Sequence, residues 1–296
     1  MALVSVGRVL LIVNPASRRG FLHHPEATRS FAAAGVECEA VFTEHPGHAA
    51  LIAASHAETY DAIFTLGGDG TVMEVLGAVA GSGMPVGVLP GGTGNLTARA
   101  LGIPSGVGRA VRSLLLGTRR RIDLGMLPDG RAFAFAAGVG IDATMVAATT
   151  SEAKRTLGVL AYVRTAMQAS LSLDAFDVRA TVDGDEHLFR ATAVLIANFG
   201  SVLNGLIQLG PEIRADDGML DLCVFSPEKT TDALRLGWRI VRKRFALDPA
   251  MHFLKGRHIR IETDPARPAQ ADGELMGTTP VEVRIAPLAA CFLVPR

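Results

Sequence analysis

Two glycine-rich turns constrain this chain more than any other feature of it. Gly67-Gly68-Asp69-Gly70-Thr71 follows the run Ala62-Ile63-Phe64-Thr65-Leu66, and Pro90-Gly91-Gly92-Thr93-Gly94-Asn95 follows Val86-Gly87-Val88-Leu89. Short apolar runs of this kind are strands buried on both faces of a parallel sheet. Parallel neighbours need crossover helices, and in open α/β sheets ligands bind beyond the carboxyl ends of the strands. Glycine there lets backbone N–H groups approach an anion, and a helix N-terminus adds a favourable dipole. A phosphate-bearing ligand is the first expectation. Asp69 complicates a plain anion nest, because a carboxylate among phosphate-facing amides repels the ligand unless a cation or a hydroxyl proton accompanies it. A nucleotide with a divalent metal meets that condition. The alternative is two glycine turns and an Asp N-cap, with Thr71 capping a helix that begins Val72-Met73-Glu74. Neither turn is a GxxxxGK[ST] or a GxGxxG motif.

Around these turns the first part of the chain repeats a strand, a loop and a helix. Gly7–Val13 reads as a strand halted by Asn14-Pro15 and followed by the basic turn Ala16–Gly20. Pro25–Ala34 reads as a helix with a Gly35 stop, Cys38–Phe42 as a strand ending at Thr43, and Gly47–Ser55 as a helix that starts beside His48. Leu96–Leu101 and Gly106–Leu116 are further helical stretches, before Arg119-Arg120-Arg121 and Asp123 at the start of another strand. Together these specify a doubly wound domain over residues 1–123.

From residue 124 to 296 the grammar changes. Arg131–Gly140, Asp174–Asp183, Leu188–Asn198 and Leu220–Phe225 are β-prone and separated by Asp/Gly turns, with helical stretches at Asp142–Ala148 and Gly158–Ser170. An antiparallel second domain is expected, with the final strands Val281–Ala286 and Cys291–Val294 as candidates to return to the first. Asp183-Gly184 reads as a hairpin turn. Thr230–Leu247 carries a stripe of Leu234, Trp238 and Val241 flanked by Arg235, Arg239, Arg242, Lys243 and Arg244. Such a face suits an anionic lipid surface or ordinary core packing.

Lys+Arg and Asp+Glu are both 29, so nothing global points to nucleic acid, and 49% hydrophobic residues fill a sizeable core. Cys38, Cys223 and Cys291 lie far apart on apolar stretches, the wrong pattern for a zinc site or a disulfide framework. The first residues lack a signal-peptide pattern, and no window holds about 18 uninterrupted apolar residues. A cytoplasmic protein, peripheral at most to the inner membrane surface, is expected.

In their order, Asn14-Pro15, GGDGT at 67–71, PGGTGN at 90–95, Asp123-Leu124-Gly125, Asp216-Asp217-Gly218 and Asp272-Gly273-Glu274 resemble the motifs of the diacylglycerol kinase catalytic-domain family, in its soluble bacterial lipid kinase branch. The resemblance covers nearly the whole chain. GGDGT alone is shared with NAD kinases; the series is far more specific. It implies an α/β fold with an N-terminal doubly wound parallel-sheet nucleotide domain and a mainly antiparallel β-sandwich after it. By the same resemblance Asn14, Thr43, Gly68, Asp69, Gly70, Thr71, Val72, Met73, Glu74 and Thr93 bind the nucleotide, with Arg18 or Arg19 as further candidates. Asp272 is the base, and Asp69 assists the metal and the polar network around the transfer site. Asp217 through its side chain, and Arg214 and Met219 through their carbonyls, would hold a structural Mg2+. From the residues alone, a hairpin turn remains open for Asp217 and for Asp272. One departure stands out: Leu96 occupies a position where one branch of the family has an aspartate that joins the metal network.

The implied reaction is ATP-dependent, Mg2+-assisted phosphorylation of a hydroxyl on diacylglycerol, a sphingoid base or a related lipid. Two alternatives remain at this stage, an NAD kinase acting on a soluble dinucleotide and a nucleotide- or lipid-binding regulator without transfer. By the same resemblance a homodimer is a further expectation, and no stripe in the sequence establishes an interface.

Overall fold

The computed structural model describes residues 6–17, 20–140, 174–202, 207–208, 210, 212–242 and 248–296. The helices expected over Asp142–Ala148 and Gly158–Ser170, and residues Arg18, Arg19, Lys243 and Arg244, lie outside this set. The chain divides into two compact units: one comprises the stretch through Leu124, residues 130–132 and Ala286–Arg296, and the other Gly125–Asp129 and Phe133–Ile285.

In the first unit the order is β1 (Arg8–Val13), α1 (Gly20–Ala33), β2 (Glu37–Phe42), α2 (His48–His56), β3 (Ala62–Gly67), α3 (Asp69–Ala78), β4 (Pro85–Pro90), α4 (Leu96–Ala100), α5 (Val107–Leu115) and β5 (Thr118–Met126). The parallel strands run β2-β1-β3-β4, and every residue of β3 and β4 is buried. Burial on both faces is why these strands read as unbroken apolar runs. The order of strands reverses between β1 and β3, which makes that gap the topological switch point. Gly87 on β4 leaves room for the Phe64 ring, which a Cβ would meet at 2.3 Å, and Phe31 of α1 packs edge-on against the same ring at 4.8 Å. α1 starts five residues before Pro25. Proline has no N–H for the Phe21 carbonyl one turn back, and the His24 ring takes that carbonyl instead, Nδ1 donating at 2.7 Å. Glu26 of α1 accepts the Gly108 N–H at 2.9 Å, tying α1 to the first turn of α5.

The rest belongs to the second unit, apart from the end of the last strand: β6 (Ala132–Phe133, which begins at the edge of the first unit), β7 (Ala136–Val139), β8 (Phe176–Val182), β9 (Asp185–Ala191), β10 (Ala193–Ala197), β11 (Ser201–Val202), β12 (Ile207–Gln208), β13 (Leu220–Phe225), α6 (Thr230–Val241), β14 (Met251–Gly256), β15 (His258–Asp264), β16 (Pro268–Ala271), β17 (Glu274–Thr278) and β18 (Val281–Val294), which passes into the first unit at Ala286. It is the expected antiparallel sandwich. One layer contains β9-β8-β15 and the first part of β18, the other β14-β13-β10-β7-β16-β17. Val178, Ala180, Ile259, Ile261 and Val283 from the first layer share a core with Val139, Val194, Ile196, Leu222 and Val224 from the second.

Two β expectations are corrected. The single run Leu188–Asn198 is two strands in different layers, β9 and β10, with the chain changing layer at Thr192, whose N–H bonds the Phe225 carbonyl at 2.9 Å. The two final strands are one, β18, which pairs with β15 up to Arg284 and, in the first unit, lies parallel to β4 at Cys291 and Phe292.

Candidate active site

At the carboxyl ends of β1, β2, β3 and β4 stand Asn14, Thr43, the GGDGT turn and the PGGTGN turn, so one sheet edge gathers the first-unit candidates. The register places Val13 beside both Phe42 and Leu66, and Gly67 beside Pro90. Asn14 spans the switch point: its Nδ2 donates to Thr71 Oγ1 at 2.9 Å while its Oδ1 accepts the Ala16 N–H. Thr43 is buried, its N–H on the Val13 carbonyl at 2.9 Å. His48 is occupied locally, its Nδ1 accepting the Glu44 N–H at 3.0 Å.

The glycines serve first to bring the two turns together. The Gly91 N–H bonds the Gly67 carbonyl at 3.0 Å, and a Cβ on Gly92 would sit 2.7 Å from the Gly68 Cα. Asn95 closes the second turn with both ends of its amide on Gly92, 2.9 Å each. Asn95 itself has φ 49°, in the left-handed region that Asn tolerates better than most side chains.

α3 begins at Asp69 with Gly68 as its N-cap, so Thr71 is inside the first turn and does not cap the helix. The Val72 and Met73 side chains are buried, which leaves the first-turn amides of α3 as the groups a phosphate would meet. Gly70 belongs to that turn, and Thr93 is exposed on the neighbouring one. The two acids have definite partners. Asp69 accepts the Leu96 N–H at 3.0 Å on one oxygen, and the Thr97 N–H and hydroxyl at 2.9 and 3.0 Å on the other, so it caps α4. Three of about four acceptor positions are thereby used. Leu96, the departure from the family pattern, contributes here through its backbone. Glu74 accepts the Gly47 and Ala49 N–H groups at 2.9 and 3.1 Å and caps α2 from a neighbouring helix. Asp123 is fully buried in the middle of β5 rather than at its start, and accepts the Leu288 N–H at 2.7 Å.

In the second unit, Asp272-Gly273 is a two-residue hairpin between β16 and β17, with Ala271 opposite Glu274 and φ of 47° and 90°. Positive φ at both positions is the type I′ geometry that Asp-Gly favours. The Asp272 carboxylate accepts backbone N–H groups of Ala134, Phe135 and Ala136 at 2.7, 3.0 and 2.9 Å. Asp183-Gly184 is built the same way, its carboxylate on the Arg257 and His258 N–H groups at 2.9 and 2.8 Å.

In the Asp216-Asp217-Gly218 turn, Asp217 accepts the Met219 N–H at 3.1 Å and pairs with the Lys255 ammonium at 3.0 Å, while Arg214 pairs with Asp216 at 3.1 Å. Lys255 also reaches Asp221 at 3.4 Å. Burial pushes the Asp221 carboxyl up to about 6 against the pull of that ammonium. Among the described residues no group of three or more His, Cys, Asp or Glu is arranged to hold a metal ion.

The basic helix does not use its Leu234 and Trp238 stripe for core packing, one of the two expected readings. Ala233 and Leu236 are its buried face, the latter packed with Ala250 and Met251, while Leu234 and Trp238 are 46% and 61% exposed. Arg235 and Arg239 bind the buried Asp248 at 3.0 and 2.9 Å, and Arg242 lies 4.5 Å over the Trp238 ring. Sequence reasoning missed Asp248, Lys255 and Thr97; for Asp248 the available signal was an acid just after a basic helical stretch.

Comparison with known proteins agrees with this architecture. The sequence profile of the diacylglycerol kinase catalytic domain matches residues 8–127, and that of the YegS C-terminal NAD kinase beta sandwich-like domain matches residues 136–294. A diacylglycerol kinase of Bacillus subtilis (strain 168) is 30% identical over 93% of this chain and 92% of its own length. A protein of Synechocystis sp. is 31% identical over 79% of this chain, which spans only 54% of it. The crystal structure of a "putative diacylglycerol kinase" from Bacillus anthracis str. Sterne superposes with a TM-score of 0.80 at 26% identity, covering 98% of each chain. No helix among the described residues is long and apolar enough to cross a membrane.

Proposed function

Because the chain belongs to the diacylglycerol kinase catalytic-domain family, we propose that it transfers the γ-phosphate of ATP to the hydroxyl of a lipid alcohol, of the diacylglycerol or sphingoid-base class. The observation that carries this reading is the meeting of the two glycine turns beyond the ends of β3 and β4, with the first-turn amides of α3 behind them and the Asn14–Thr71 bond across the neighbouring β1/β3 switch point.

Phosphoryl transfer asks the protein mainly for positioning and charge stabilisation. In the proposed arrangement Asn14, Thr43 and the amides of Gly68, Gly70 and Thr71 hold the nucleotide, with Thr93 on the facing turn. Asp69 has acceptor capacity left after capping α4, and an Mg2+ bound with ATP needs only one or two carboxylates besides the phosphates. Such an ion would neutralise charge on the transferred group. Asp272 takes the proton of the lipid hydroxyl; its three amide bonds fix the carboxylate without any side-chain freedom to lose. The exposed Leu234, Trp238 and Arg242 form a patch suited to an anionic lipid surface. Equal vesicle binding by the parent and a Trp238→Ala, Arg242→Gln variant would discard that contact.

The deciding experiment supplies labelled ATP and Mg2+ with lipid alcohols in mixed micelles and, separately, with NAD. Label in the lipid phase is expected. Label in NADP alone would select the soluble-dinucleotide reaction, and nucleotide binding without transfer to any lipid would leave a regulator.

A further inference from the structure

The Asp216-Asp217-Gly218 turn carries a cation of its own. Asp221 on β13 and Lys255 on β14 are direct partners in the antiparallel ladder, so both side chains leave the same face. From there the Lys255 ammonium reaches back to Asp217 Oδ2 at 3.0 Å, stays 3.4 Å from Asp221 Oδ1 and points to the Glu212 carbonyl at 3.5 Å. The other Asp217 oxygen holds the Met219 N–H at 3.1 Å, and Asp216 is taken by Arg214. Asp221 Oδ2 is buried with no hydrogen-bond partner among the described residues, so Lys255 is the cation that compensates this carboxylate.

The resemblance implies a structural Mg2+ here, with the Asp217 side chain as its one anionic ligand and the Arg214 and Met219 carbonyls beside it. Those donors do not suit the ion in this chain. Mg2+ demands oxygen ligands at about 2.0–2.1 Å in near-ideal octahedral geometry, and an ammonium 3.0 Å from an oxygen of the one carboxylate that the resemblance assigns to the ion would oppose it by like-charge repulsion. We propose that Lys255 is the resident counter-ion of this turn, and that the second unit is stable without a divalent ion at Asp217. The claim is independent of which alcohol the protein phosphorylates.

The test uses the purified full chain without nucleotide, melted in chelator and in excess Mg2+. The expected result is one melting temperature in both, with no stoichiometric Mg2+ retained after gel filtration. A parent protein whose melting temperature falls on chelation and returns with Mg2+ would overturn the proposal without any variant. Lys255→Met leaves two carboxylates uncompensated. It should melt below the parent in chelator, and Mg2+ should raise its melting temperature by mass action. A Lys255→Met protein that melts like the parent in chelator would show that the ammonium is not the counter-ion. Asp217→Asn should lower the melting temperature equally with and without Mg2+; a drop confined to Mg2+-containing buffer would return the site to the ion.

Discussion

The Asp69 carboxylate and the Thr97 hydroxyl meet at 3.0 Å, joining the first residue of α3 to the first turn of α4. Because the Leu96 and Thr97 amides bind the same carboxylate, the acid holds the two glycine turns in register. Asp69→Ala should therefore lower stability by about 1–2 kcal/mol, the usual cost of a lost cap, and weaken ATP binding together with turnover. Thr97→Val removes one bond of three and should cost about 0.5–1.5 kcal/mol. Denaturant melts with ATP titrations check both. An Asp69→Ala protein of parental stability would show that the α4 cap is not holding the turns.

Glu74 acts at one remove, through α2. Glu74→Ala frees the Gly47 and Ala49 amides, and with them the loop that follows Thr43, so KM for ATP should rise while kcat stays near the parent value. Glu74→Gln keeps one acceptor and should recover part of the loss. A fall in kcat at unchanged KM would instead place Glu74 at the reacting groups.

Asp183 is the internal control for Asp272, since both are Asp-Gly hairpins whose carboxylates collect backbone amides. Asp183→Asn and Asp272→Asn should lose similar stability. Only Asp272→Asn should lose turnover, by roughly 10²–10⁴-fold if it accepts the lipid proton and chemistry limits the rate. Equal, small effects on kcat in the two variants would leave Asp272 with a turn role.

Asp248 sets an acid limit. The Arg235 guanidinium, bonded to it directly, holds its carboxyl below the usual range, overcoming the burial that pushes the other way. A depressed folded value means that the stabilisation is present above the unfolded value of about 4 and is lost as pH falls through the folded one. Denaturant midpoints should decline below about pH 4, and Asp248→Asn should flatten that part of the profile while lowering the melting temperature by several degrees at neutral pH. An unchanged acid profile in Asp248→Asn would remove the acid from this role.

What the sequence disclosed follows from how each feature is encoded. β1, β3 and β4 were legible because burial on both faces strips them of polar residues, and the glycine turns because close backbone approach tolerates no Cβ. β14 and β15 went unread: β14 is half-buried over most of its length without alternation, and β15 is interrupted by charged residues, as in Arg260-Ile261-Glu262. The layer change at Thr192 leaves no apolar break between β9 and β10. At the site, residue types and turns were visible, but the partners of Asp69, Glu74 and Lys255 were not. Such partners lie on other elements, and packing rather than spacing selects them.

β18 carries a consequence for synthesis. The parallel sheet of the first unit takes the strand beside β4 from residues about 200 positions later, and β4 is buried along its whole length. Parallel pairing at such sequence separation is slow to form. On the ribosome, the first unit therefore waits with an apolar strand edge unpaired until the entire second unit has been made. An unpaired apolar edge invites association with other chains. A fragment ending near Leu124 would keep that edge permanently, so the first unit is compact in space without being an independent folding unit in time.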